Sequence, residues 1–273
     1  IGMARELGAT EYRVDGSRIN GLGRLARRFP VGAISPETCT MFRGGAKGRR
    51  QFFEWGLFHV EPEYGPVWGR YKAVLRQRDE GLRNHSTDTD SAWLKQLAPL
   101  GERLHNYRKT MVDRLQTELN ALLLGVGLSA DQVGLRYRKG WPSGRPLADA
   151  LTDASAADKK IRRTTVRAHR YDVGAVFGGE NEIRRLSLGQ LKFALILIRL
   201  AQVLLITKDT AQVPVLLLDD FYSEMDVGRS NLLLDYLHNA GYQVLLTDQG
   251  ARLSERPGCK VFNIERGVVC ERA

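Results

Sequence analysis

Two adjacent carboxylates, Asp219 and Asp220, close the apolar run Val215-Leu216-Leu217-Leu218. A buried strand ending this way presents both acids at the carboxyl edge of a sheet, where open α/β folds bind ligands. The pair suits a magnesium ion and an attacking water: Asp219 can hold the cation and Asp220 can orient the water. Upstream, Ser187-Leu188-Gly189-Gln190 opens the apolar segment Leu191 to Ile206. A Ser hydroxyl, a Gly that permits close approach and a helix N-terminus together can read a phosphate. Taken singly, an acidic turn after a strand and a capped helix explain these residues as well. Found in this order along one chain, they are a poor fit to coincidence.

A second chemistry is electrostatic. Net charge is +10, and residues 136–170 hold ten Lys and Arg against three Asp. Arg43, Lys47, Arg49 and Arg50 form another cluster. Such excess attracts a polyanion, with Arg49, Arg50, Arg162 and Arg163 the candidate phosphate contacts. A solvated basic surface with no partner fits the composition equally. His169 lies between arginines, where a surface or hydrogen-bonding role is commoner than catalysis. Trp55, Trp68, Trp93 and Trp141 read as core anchors within helical patterns. Cys39, Cys259 and Cys270 lack metal-ligand spacing and fit a reducing, cytoplasmic setting.

The elements that must position these groups follow from periodicity. Tyr12 to Ile19 predicts a hairpin around Asp15-Gly16 and Val31 to Ile34 a strand, after which Ser35-Pro36 starts a helix. From there to about Thr152 the pattern is mainly helical. Val67, Tyr71, Val74, Leu75 and Leu82 share one face. Leu97 through Leu122 recur every three or four residues, giving a helical hairpin whose second arm Pro99 should kink. Gln243 to Thr247 is a second apolar run after Val213 to Leu218, and with the helix Arg229 to Leu237 between them it predicts a parallel crossover. Val261 to Ile264 and Val268 to Cys270 close as a hairpin. The apolar stretch around Leu191 to Ile206 is interrupted by Lys192, Arg199 and Gln202, so it reads as a buried helix and not a membrane span.

Phe221-Tyr222-Ser223-Glu224-Met225-Asp226 follows the two carboxylates, and the string resembles the Walker B and D-loop of ABC-type ATPases. Leu186-Ser187-Leu188-Gly189-Gln190 resembles their signature motif. Within that superfamily the residues resemble the RecF family. Ser35-Pro36-Glu37, then Gly44-Gly45-Ala46-Lys47-Gly48-Arg49-Arg50-Gln51-Phe52-Phe53, is similar to its Thr-Pro-Glu and Gly-Gly-Pro-x-x-Arg-Arg-x-Phe-Leu motifs. Arg70-Tyr71 with Leu75-Arg76-Gln77-Arg78 resembles its helical arm. Leu218 to Asp226 resembles its Leu-Asp-Asp-x-x-Ser-Glu-Leu-Asp. Three departures stand out. No Gly-x-x-x-x-Gly-Lys-Ser/Thr loop occurs in the sequence. Leu188 replaces the usual Arg or Gly, and Arg167-Ala168-His169-Arg170-Tyr171-Asp172 stands for Gly-Pro-His-Arg-Asp-Asp.

The resemblance implies a partial ABC-ATPase-like α/β head with an inserted helical arm. Its parts would be a lobe remnant at 1–34, an arm at 35–152 and a second lobe at 153–273. It implies a C-terminal fragment of a longer protein, short of an N-terminal segment of about 90–100 residues. It further implies a cytoplasmic ATPase, with ATP and Mg2+ as cofactors, acting in DNA replication, repair and the SOS response. That protein would dimerise around ATP, bind gapped or double-stranded DNA and, with RecR, help load RecA. Asp219 would hold the metal and Asp220 position water, while Ser187, Gly189, Gln190 and Asp226 meet the nucleotide and Thr247 serves as a switch residue. The competing readings are a non-enzymatic DNA-binding module with a vestigial ATP site, and another ABC-type head.

Overall fold

The computed structural model describes residues 2–6, 9–19, 21–84, 90–178, 181–182, 185–249 and 258–271. Strands β1 (Gly2–Glu6), β2 (Ala9–Val14) and β3 (Ser17–Ile19) form an antiparallel sheet. Its β2–β3 turn is the expected one, with Asp15 and Gly16 both at positive φ. Helix α1 (Leu22–Arg28) and strand β4 (Val31–Ile34) follow. Ser35 then caps α2 (Pro36–Gly44) by a reciprocal box with Thr38, and Pro36 fixes the first turn. Gly45, at φ 144°, turns the chain into α3 (Ala46–Val60). A Cβ at Gly48 would lie 2.0 Å from the Met41 carbonyl oxygen, so this corner closes only around glycine.

The predicted helical hairpin is α4 (Tyr64–Arg83) against α5 (Asp90–Gly125). Helix α5 runs without a break through Pro99. The mainly helical reading of 35–152 misses one strand. Strand β5 (Val133–Arg138) pairs antiparallel with β6 (Asp172–Phe177), which pairs with β7 (Asn181–Glu182). Val133, Leu135 and Tyr137 alternate with Gly134, Arg136 and Arg138, a period-2 signal short enough to be lost between helices. Helix α6 (Leu147–Ile161) and a single 3-10 turn (Ala168–Arg170) connect β5 to β6. The division at 152/153 therefore falls inside α6, and the β5–β6 ladder crosses it.

Helix α7 (Leu188–Thr210) is apolar on every side because it is enclosed on every side. Among the described residues it alone is long and apolar enough to cross a membrane, and 89% of its apolar window is buried within the protein. Strands β8 (Val215–Leu218) and β9 (Val244–Leu246), linked through α8 (Val227–Asn239), lie parallel as expected. Strand β4 pairs parallel to β8 from the other side, so β8 is central in the order β4-β8-β9. The chain ends in the predicted hairpin, β10 (Phe262–Glu265) with β11 (Val268–Glu271).

Two hydrophobic cores result. One gathers α7 with β6, β8 and α8; the other gathers α4, α6 and Trp141. Helix α5 serves both. Leu97, Ala98, Leu104 and Met111 belong to the second, and Val112, Leu115, Leu119, Leu122 and Leu123 to the first.

Candidate functional site

The carboxyl edge of β8 carries the two acids. The parallel ladder continues one residue past the strand: Asp219 N–H donates to the Ile34 carbonyl at 2.9 Å, and Thr247 N–H to that of Leu218 at 3.0 Å. This register sets Thr247 beside the acids. Its hydroxyl donates to Asp219 Oδ1 at 2.5 Å and accepts from the Asp220 N–H at 2.9 Å. The chain then turns sharply, with Asp220 at φ 52° and Glu224 at φ 68°, both left-handed and unfavourable for a residue with a Cβ.

Lys192 holds that turn from below. Only 3% exposed, its ammonium donates to the carbonyls of Asp220 and, at 3.1 Å, Ser223. Burial pulls the Lys192 pKa down, and the charges of Asp220, Cys39, Glu224 and Asp219 oppose the pull. One turn earlier a Cβ at Gly189 would sit 1.9 Å from the Glu224 carbonyl oxygen. Glycine is thus needed there for contact with the 223–226 loop of the same chain. Ser187 caps α7: its Oγ accepts from Gln190 N–H at 3.2 Å, and Gln190 Oε1 accepts from Ser187 N–H at 3.1 Å. Asp226 caps α8, accepting from Arg229 N–H at 2.9 Å. Asp219, Asp220, Thr247, Gly189, Lys192 and the 223–226 loop are therefore one connected edge.

Sequence reasoning missed two contributors there. Lys192 was read only as an interruption of the apolar stretch, although a Lys within an apolar helix is itself a signal. Glu37, in the first turn of α2, adjoins Asp219 closely enough to feel its charge. Hydrogen bonds from Ser35 and the helix start hold the Glu37 carboxyl below the usual range, against burial and Asp219. Among the described residues no three His, Cys, Asp or Glu side chains gather as a metal cage. Asp219 is the acid at this edge that could hold a divalent cation, which commonly needs only one or two carboxylates from the protein.

The basic candidates divide. Arg49 is turned into the protein, away from the solvent-facing position a phosphate contact would take. It is 5% exposed, forks onto Asp172 at 2.9 and 2.8 Å, and donates to the Phe42 carbonyl at 3.1 Å. Arg50 is half-buried, donating to the Tyr171 carbonyl at 3.0 Å with its guanidinium over the Tyr171 ring. Both arginines tie α3 to β6, a packing role that a surface reading of the cluster overlooks. Arg162, in the left-handed cap position of α6, and Arg163 are exposed.

His169 is neither a surface group nor satisfied. Its ring packs edge-on to Trp68 and Tyr71, and Nδ1 is buried without a partner. Burial, then Arg167, Arg170, Arg50 and Arg108, bring its pKa to about 4. Trp141 is a core anchor, yet in a loop, with Nε1 donating to the Arg145 carbonyl at 3.1 Å.

No protein-family model matches the chain. Solved structures do. The recombination mediator protein RecF-ATPrS in the RecFOR pathway superposes with a TM-score of 0.79 at 22% identity, over 99% of this chain and 76% of that one. The RecF-ATP structure of the same pathway gives 0.78 at 23%, over 97% and 74%. They establish the fold, a partial ABC-ATPase-like α/β head with a helical arm. Sequence carries the matter further. The chain is 31% identical over 280 residues to DNA replication and repair protein RecF of Pseudomonas paraeruginosa, covering 99% of itself and 75% of that protein. To RecF of Yersinia pestis bv. Antiqua it is 32% identical over 275 residues, covering 98% and 76%. With the capped α7, the acids and the 223–226 loop following one another along a chain this similar to RecF proteins, this chain belongs to the RecF family of DNA replication and repair proteins.

Proposed function

We propose that this chain supplies the magnesium-binding and signature halves of an ATP site in a cytoplasmic RecF protein that dimerises on ATP. It would bind DNA at gaps and junctions and act with RecR to promote RecA loading. The observation that carries the reading is the Thr247 hydroxyl shared between Asp219 and Asp220, at an edge that Lys192 and Gly189 join to α7. Asp219 would hold Mg2+ and Asp220 position the attacking water. Ser187 and Gln190 would leave their mutual cap to meet the γ-phosphate of a second copy, with Asp226 nearby and Gly189 keeping the helix start against its loop. The three-part organisation belongs to the same proposal, with the arm ending beyond α6.

The test is a chimera that places a relative's phosphate-binding segment ahead of this chain. Ser187→Arg should abolish nucleotide-dependent dimerisation in sedimentation while changing ATP affinity less than about threefold, since a bulky cation blocks closure without touching the subunit's own nucleotide. Dimerisation as in the parent sinks the trans reading. A parent that never dimerises favours the non-enzymatic DNA-binding module, the reading to which the departures at Leu188 and around His169 also point.

DNA contact is assigned to Arg162 and Arg163. Reversing both to Glu should weaken duplex binding and reduce the slope of log affinity against log salt by about 2, as expected when two phosphate contacts are lost. An unchanged slope would make them a solvated face.

A further inference from the structure

On the outer face of the arm, α4 and the 3-10 turn enclose a cleft of about 630 Å3 lined by Trp68, Lys72, Ala73, Arg76, Arg83 and His169. Its volume lies in the range of built ligand pockets. Three features define what it could hold. First, its charge is one-sided. Lys72, Arg76 and Arg83 are exposed along α4. The acid that lines it, Asp79, is already consumed by Arg167 at 2.7 Å and by the N–H and hydroxyl of Thr164 at 2.8 and 2.6 Å. Among the described residues no carboxylate pairs with Lys72, Arg76 or Arg83.

Second, the wall between these cations is apolar: the edge of Trp68, Ala73 and the buried Leu75. Third, the ring of Trp68 is already engaged by its neighbours. Tyr71 stacks on it with an interplanar angle of 14°, and the Lys72 ammonium and Arg108 guanidinium lie 5.3 and 5.7 Å from its centroid. A nucleic acid strand would find charge here but no stacking platform, and its backbone gains nothing from an apolar wall. A peptide that combines carboxylates with an apolar side chain uses both. His169 adds the side of its ring to the lining, its Nδ1 being buried away from the cleft.

We propose that this cleft is a docking site for an acidic peptide segment of a partner protein, with carboxylates on Lys72, Arg76 and Arg83 and an apolar side chain against Trp68 and Ala73. Through Asp79 and Arg83 the cleft adjoins a second one lined by Arg162 and Arg163, so its test varies the two sets of cations separately.

Fluorescence anisotropy on the whole chain tests it, with labelled Glu-Asp-Leu-Phe-Glu-Asp as the probe. Binding should saturate below about 1 mM, and the Glu-Asp-Ala-Ala-Glu-Asp peptide should bind about tenfold more weakly. The double variant Lys72→Glu with Arg76→Glu, and separately Ala73→Glu, should each weaken the probe by about tenfold or more at an unchanged melting temperature. The Arg162→Glu, Arg163→Glu pair, in the adjoining cavity, should weaken the probe less than the Lys72→Glu with Arg76→Glu pair does. No saturation, equal binding of the two peptides, or indifference to both cleft variants overturns the proposal. So does a short oligothymidylate that displaces the probe and is itself lost on reversing Lys72 and Arg76, since the cleft would then belong to nucleic acid.

Discussion

Asp158→Ala is expected to destabilise the protein by about 3–5 kcal/mol, read as a lower denaturant midpoint at constant slope. Arg78 and Asp158 are both fully buried, and Asp90 is nearly so. The Arg78 guanidinium reaches Asp90 at 2.8 Å, Asp158 at 2.7 Å and the Thr164 hydroxyl at 3.0 Å. Asp158 also accepts from the N–H and hydroxyl of Thr165, at 2.9 and 2.6 Å. Removing it strands part of a cation in the core and orphans two donors. A loss below about 1 kcal/mol would mean that water replaces the carboxylate. The same cluster makes stability fall in acid. Burial raises the Asp90 carboxyl, but hydrogen bonds from Arg78 and Ser155 outweigh it and leave its pKa below the usual range. Its contribution is thus present above the unfolded pKa and lost as pH drops through the folded one. His59 and His169 act earlier. Both sit near pKa 4, chiefly by burial, so the unfolded state takes up their protons first, and stability should begin to fall as pH passes below about 6.5.

Asp219→Asn, in the chimera with a phosphate-binding segment, is expected to lower magnesium-dependent ATP hydrolysis by about a hundredfold to a thousandfold. The amide keeps the shape and removes the negative charge that would hold the cation. Thr247→Val should cost less, about tenfold, because it leaves both carboxylates present and removes only the hydroxyl between Asp219 and the Asp220 N–H. ATP affinity and turnover measured against magnesium concentration separate the two. The Asn variant should remain slow at saturating magnesium, and the Val variant should recover part of its rate. Equal rates for Asp219→Asn and the parent would remove Asp219 from the metal site.

The strand and helix ends at this edge were legible because each carries its own local cause. Asp219 follows a strand that is apolar throughout, and Ser187 opens the apolar helix that the sequence predicts, whereas the capping of α8 by Asp226 emerged only from the structure. The function of Gly189 was legible only by half. Sequence gives a glycine at a helix start, whereas the contact with the Glu224 carbonyl depends on how the 223–226 loop folds back. Arg49 shows the opposite failure. Four cations within eight residues read as a surface, but Arg49 points inward on α3 to meet Asp172, more than a hundred residues along the chain. Pairing at that separation leaves no periodic trace. Strand β5 was missed for a related reason: it is a strand only because β6 is there to pair with it.

Helix α5 also limits how relatives of this chain can vary in length. Its 36 residues are one rigid rod whose first half is keyed to one core and whose second half is keyed to the other. Inserting a single residue near Met111 would rotate everything beyond it by about 100° and advance it by about 1.5 Å. Leu115, Leu119 and Leu122 would then turn away from α7 while Leu97 and Leu104 kept their places. No loop lies between the two sets to absorb the error. Single insertions and deletions should therefore be absent from this stretch in functional relatives, while whole heptads, which nearly restore the phase, are the permitted unit of change.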